Sequence, residues 1–209
     1  PPGPPHAGEA SVLPEARFVV FLLVTFAISC VLQQASVALP IDMLARGVSA
    51  RAYGMLMALN GVLVVLVQPP LSRWTASWRR RPALALSSLL VGTGFAFNSL
   101  ARGAAGYAVA VCTWTLGEIV MSGVGPAAVA GLSPTGRRGT YQGFYQMAWS
   151  GSAFVAPIVG SIALARVGSG PLWTACLLVG AGCALGQMAM PFLEEAGGAR
   201  SDDGGEDGG

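Results

Sequence analysis

The chain of 209 residues contains no lysine and one histidine, and only 11% of it is charged. A soluble domain of that length needs a polar shell this composition cannot supply. Instead 53% of the residues are apolar, and the mean hydropathy is +0.60. The histidine, His6, lies in a proline-rich leader, so none of the apolar stretches has an imidazole to act as base or ligand. Ser150 and Ser152 therefore cannot be built into a serine-protease triad, and no HExxH zinc motif is present. Cys30, Cys112, Cys176 and Cys183 all fall within apolar stretches, where cysteine behaves as a small hydrophobe and not as part of a disulfide frame. Enzymatic activity, a metal, a cofactor and a nucleic-acid partner are not expected.

What the chain does have is long apolar runs. They cover about 18–39, ending at Pro40; 53–67, stopped by Pro69 and Pro70; 83–100; 107–130; 140–165; and 172–192. A hydrocarbon core of about 30 Å takes roughly 20 helical residues to cross. The runs are continuous and do not alternate, which excludes the strands of a membrane barrel. A helix satisfies its own amides in lipid. The expected fold class is an all-α membrane protein with six transmembrane helices. Residues 1–16 read as a disordered leader or linker, 17–193 as the six-helix transmembrane domain, and 194–209 as an acidic disordered tail.

The arginines give those crossings a direction. With both termini on one side, Arg17, Arg73, Arg79, Arg80, Arg81, Arg137, Arg138 and Arg200 share that side, while Arg46, Arg51, Arg102 and Arg166 lie on the other. Eight against four makes the side of the termini cytoplasmic. Trp74 and Trp78 flank the richest cluster at the level of the lipid headgroups. Abundant Ala, Gly and Arg with no Lys suggests a high-GC bacterial source, so the expected location is a bacterial cell membrane.

Polar residues inside the crossings are the candidate functional groups. Glu118 is the one acid read as deep in a crossing, about 16 Å along the fourth helix at 1.5 Å per residue. A carboxylate there faces a bundle interior or a wet cavity. It is either a proton carrier or a carboxyl that holds a neighbouring helix by a hydrogen bond. Gln33 and Gln34 in the first helix, Asn60 in the second, and Gln146 with Trp149 in the fifth are the candidate cavity-lining residues. Gln142, Gln146 and Trp149 share one helical face. Amides to orient a solute and an indole to hold it suit an amphipathic organic molecule; interhelical hydrogen bonding is the competing reading. Asn98, near the outer end of the third helix, reads as interfacial. Gly151, Pro157 and Gly160, with Ser152, Ala156 and Ser161, permit close helix packing.

Three stretches carry a family likeness: YGMLMALNGVLVVLVQPPLSRW (53–74), WTLGEIV (114–120) with SPTGRRGTYQGFYQMAW (133–149), and GSGPLW (168–173). Over 17–193 the chain resembles the carboxyl-terminal half of a major facilitator superfamily (MFS) transporter, in its drug:proton antiporter-like branch. The family's inner-loop motif survives in degraded form, with Pro69, Leu71 and the run Arg79, Arg80, Arg81 in place but its glycine and aspartate absent. The segment 151–160 is similar to the antiporter glycine-proline motif, with Pro157 matching and Ala156 replacing glycine. The resemblance implies one half of an MFS-type bundle, with a second six-helix half normally in the same full-length chain. It also implies secondary active transport of small organic solutes, as proton-coupled efflux. A cavity between the first, second, fourth and fifth helices would serve it. A truncated half that only dimerises or pairs with another half, without transport, is the alternative.

Overall fold

The computed structural model describes residues 15–194. The leader and the acidic tail therefore lie outside the described residues, apart from Glu15, Ala16 and Glu194. Every regular element among the described residues is helical: α1 (Ala16–Leu32), a 3₁₀ turn (Gln33–Ala35), α2 (Ala38–Ala45), α3 (Ala50–Thr75), α4 (Arg80–Leu100), α5 (Gly103–Leu132), α6 (Arg138–Val167) and α7 (Ser169–Met188). With α1 and α2 taken as one interrupted span, six helices are long and apolar enough to cross a membrane. The expected all-α, six-helix class is what the chain adopts.

Two crossings run further than the proline positions suggest. The first does not end at Pro40, because α2 continues to Ala45 and Pro40 lies in its first turn. There a missing N–H costs little, since the amides of a helix's first turn have no acceptor within the helix. The second is not stopped by Pro69 and Pro70, which lie inside α3. Interior proline costs a soluble helix about 3 kcal/mol. In hydrocarbon, unwinding would expose more amides than the two rings remove. The amide of Gln68, just before the pair, donates to the Ser122 hydroxyl at 3.1 Å and ties this part of α3 to α5. The sixth crossing stops at Met188, short of the expected 192.

The interruption in the first crossing has its own repairs. The carbonyl of Ala35 accepts a hydrogen bond from the Tyr53 hydroxyl at 3.2 Å, so α3 supplies a donor the broken helix lacks. Ser49 caps α3 by accepting from the Ala52 amide at 3.3 Å.

At the centre of the bundle α4 packs between α5 and α7. Its contact with α7 depends on absent side chains. A Cβ on Gly180 would come within 2.7 Å of both the Gly92 Cα and the Ser88 carbonyl oxygen. The same seam carries a buried hydrogen bond of 2.9 Å between Ser88 Oγ and Gln187 Oε1. Beside it Phe95 packs against Trp114 and Trp173, with ring centroids 5.6 Å and 6.1 Å apart. A second apolar cluster gathers Phe18, Phe21, Tyr141 and Tyr145 between α1 and α6. The least buried spans are α3 and α6.

Candidate functional site

Midway along α5, Glu118 is half-buried and faces α3. The Asn60 side-chain amide donates to Glu118 Oε2 at 3.1 Å and to Thr115 Oγ1 at 2.9 Å. Thr115 and Glu118 are three residues apart, so one helical face presents both acceptors to the same amide. This is the one pairing the structure makes among the residues expected to serve coupling and solute binding. It is a carboxyl on α5 held by a neutral amide donor from the sparsely buried α3.

The other cavity candidates lie elsewhere. Gln34 is 4% exposed and packs into the α1–α6 contact, where its amide donates to the Cys30 carbonyl at 3.1 Å and the Ala156 carbonyl at 3.2 Å. Gln33 is half-buried in the 3₁₀ turn. Gln146 is exposed on α6, while Trp149 is half-buried and packs against both apolar clusters. Gln142 donates to the carbonyl of Pro126 itself at 3.0 Å, so it does not repair the carbonyl that Pro126 leaves unbonded one turn earlier.

Two small residues of α6 pack against α1 and the 3₁₀ turn that follows it. Gly151 lies against Phe26, and the backbone of Gly160 against Gln34, where a Cβ would fall 2.1 Å from Gln34 Oε1. Pro157 is half-buried in the same stretch. Asn98 is fully buried, and neither of its amide atoms has a hydrogen-bond partner among the described residues.

A second polar cluster was not read from the sequence. Asp42, in α2, is 3% exposed and uses both carboxylate oxygens. Arg46 Nε donates to Oδ1 at 3.0 Å; the Tyr107 hydroxyl and Trp173 Nε1 donate to Oδ2 at 3.0 Å and 3.2 Å. Arg46 also reaches the Ser169 hydroxyl at 3.1 Å. One aspartate thus joins α2 to α5 and α7. The signal lay in the i, i+4 spacing of Asp42 and Arg46, which ending the helix at Pro40 turned into a loop pair. A groove of about 460 Å³ opens beside it, lined by Ile41, Asp42 and Ala45 on one side and Ser161, Leu164 and Ser169 on the other.

The arginines of the termini's end lie where helices begin and finish. Arg73 is in the last turn of α3. Arg79 precedes α4, whose first turn holds Arg80 and Arg81, and Arg137 and Arg138 stand at the start of α6. Arg79 forms an ion pair with Glu194, and Arg81 donates to the Met188 carbonyl at the end of α7.

Residues 18–207 match the family model of the Major Facilitator Superfamily. The chain is 27% identical over 124 residues to the MFS-type transporter YttB of Bacillus subtilis, an alignment covering 58% of this chain and 31% of that protein. It is 25% identical over 148 residues to the MFS-type transporter YqjV of the same organism, covering 70% of this chain and 35% of the relative. A Na(+), Li(+), K(+)/H(+) antiporter of Planococcus maritimus is 25% identical over 107 residues, covering 51% of this chain and 25% of that one. The matched region thus spans about a third or less of each relative's length.

Proposed function

Because this chain belongs to the Major Facilitator Superfamily, we propose that it is the carboxyl-terminal six-helix half of a secondary transporter that exchanges small organic solutes for protons. The observation that carries the reading is the Glu118–Asn60–Thr115 cluster, an ionisable group at mid-span with a fixed neutral donor. An acid at that depth is costly unless it is used or well partnered. Here it sits beside α3, one of the two spans that the bundle covers least.

A second six-helix half would cover α3 and α6. Their exposed apolar side chains, among them Val65 at 70% and Phe154 at 77%, support a helical partner or lipid there. Gln146 and Trp149, on α6, would then border the space between the halves and contact solute. The alternative of a half that pairs without transporting would leave Glu118 only its interhelical hydrogen bond with Asn60.

Glu118→Gln in the full-length protein, reconstituted into vesicles with an imposed pH gradient, is expected to abolish the dependence of solute flux on that gradient. Coupling equal to the parent protein would reduce Glu118 to a packing residue. One relative is named as a cation/proton antiporter, so the same vesicles should be assayed with Na⁺, Li⁺ and K⁺. Flux of those ions in place of organic solutes would redirect the reading to ion exchange. In the proposed orientation both termini are cytoplasmic, and a tag at the carboxyl terminus is expected to be protected from protease in intact cells.

A further inference from the structure

Among the described residues, positive charge gathers most densely where α3 ends and α4 begins. Arg73, Arg79, Arg80 and Arg81 fall within nine residues. The last three stand at the amino end of α4, whose first turn holds no acid. Exposed amides there carry partial positive charge, so cations are at their least favourable end of a helix and an anion is at its most favourable. Glu194 pairs with Arg79, and Arg81 donates to the Met188 carbonyl.

Two crevices meet at this point and share Ala76, Trp78 and Arg80 in their walls. One, of about 270 Å³, is polar and runs past Arg79 and Glu194. The other, of about 220 Å³, runs between α3 and α5 past Ser72, Val124 and Ala127. Next to them Trp74 is 63% exposed and meets Trp78 edge-on, with ring centroids 4.7 Å apart and planes at 71°. Exposed indoles at the end of an apolar helix sit at headgroup depth. A polar, arginine-lined crevice continuing into one walled partly by apolar side chains fits an anion with a hydrocarbon tail better than a free ion.

We propose that this double crevice is a binding site for an anionic phospholipid. The phosphate lies against Arg79 and Arg80, and the upper part of an acyl chain enters between α3 and α5. Arg guanidinium groups suit phosphate by their fork of donors, and basic pockets between helices at a membrane surface recognise such headgroups. The inference needs only that this end of the bundle meets a membrane surface. It is independent of what is transported and of which side that surface faces.

The test uses the full-length protein purified in detergent and stripped of lipid, with thermal unfolding followed as lipid is added. Phosphatidylglycerol is expected to raise the melting temperature saturably, phosphatidylcholine and inorganic phosphate to leave it unchanged. Arg79→Gln with Arg80→Gln should weaken the apparent affinity for phosphatidylglycerol at least tenfold. Arg102→Gln, at the opposite end, should not change it. Elution as a single species in size exclusion separates loss of binding from loss of fold, and Arg80→Lys should retain much of the affinity.

Equal response to both lipids, an equal response to inorganic phosphate, or unchanged affinity in the double variant would overturn the proposal. So would selectivity that emerges only after Asp202, Asp203, Glu206 and Asp207 are neutralised, since the acidic tail would then be the occupant.

Discussion

Asp42 and Trp173 are 131 residues apart in the chain, yet the indole Nε1 of one donates to the carboxylate of the other at 3.2 Å inside the bundle. The same oxygen accepts from Tyr107, so a carboxylate on the short helix α2 fastens it to two long helices. Asp42→Asn keeps the shape but replaces an ionic acceptor and removes the counter-ion of Arg46. Hydrogen bonds to charged groups contribute about 1.5–3 kcal/mol each, and the ion pair itself adds little because Arg46 is 32% exposed. The expected result is a loss of about 2 kcal/mol or more, with a smaller loss for Trp173→Phe. Thermal unfolding in detergent measures both; an Asp42→Asn protein that melts with the parent would deny the network any stabilising role.

Gly160 offers a double-mutant cycle. A methyl group there would fall on the Gln34 amide, which two backbone carbonyls hold in place. Gly160→Ala is expected to cost about 1–3 kcal/mol through overpacking. In the Gln34→Ala background the same change should cost markedly less, giving a coupling of at least about 0.5 kcal/mol. Additive losses would mean that the two residues do not press on each other.

Glycines on α3 and α7 should respond in opposite ways. Gly61 has open space around its missing Cβ, whereas Gly180 meets backbone at 2.7 Å. Gly61→Ala is therefore expected to be neutral or to gain up to about 1 kcal/mol of helix propensity. Gly180→Ala must part α4 from α7, and the yield of folded protein in membranes should fall sharply. Similar yields for the two variants would place the seam elsewhere.

Removing the donor that holds Glu118 gives a functional counterpart. In the full-length protein, Asn60→Ala is expected to displace the midpoint of the pH–flux curve, because the carboxyl loses the hydrogen bond that Asn60 donates. Gln146→Ala, on another helix, should instead raise KM about threefold to tenfold and leave the midpoint in place, as loss of one solute contact would. Identical effects of the two substitutions would dissolve the division between coupling and binding.

How far the sequence could be read depended on what kind of signal each feature left. Six apolar runs are long-period features, and all six reappear as helices because lipid leaves the backbone no other open-ended choice. Prolines misled at Pro40 and at Pro69–Pro70, since their effect depends on position within a turn and on the surrounding solvent. The depth of Glu118 could be counted along the helix; its partner could not, because Asn60 reaches it across a helix–helix contact 58 residues away in sequence. Gln34 illustrates the reverse limit. Its polarity suggested a cavity, and only the approach of α6 shows the amide closed against Gly160.

Gly168 alone separates α6 from α7, with φ at +82°. The next residue, Ser169, accepts a hydrogen bond from Arg46, which is itself paired with Asp42. A joint one residue long has no slack. Any displacement at the end of α6 is handed directly to the start of α7, and through Arg46 to α2. The ends of α6, α7 and α2 are thus joined in series, with Arg46 bridging Asp42 and Ser169.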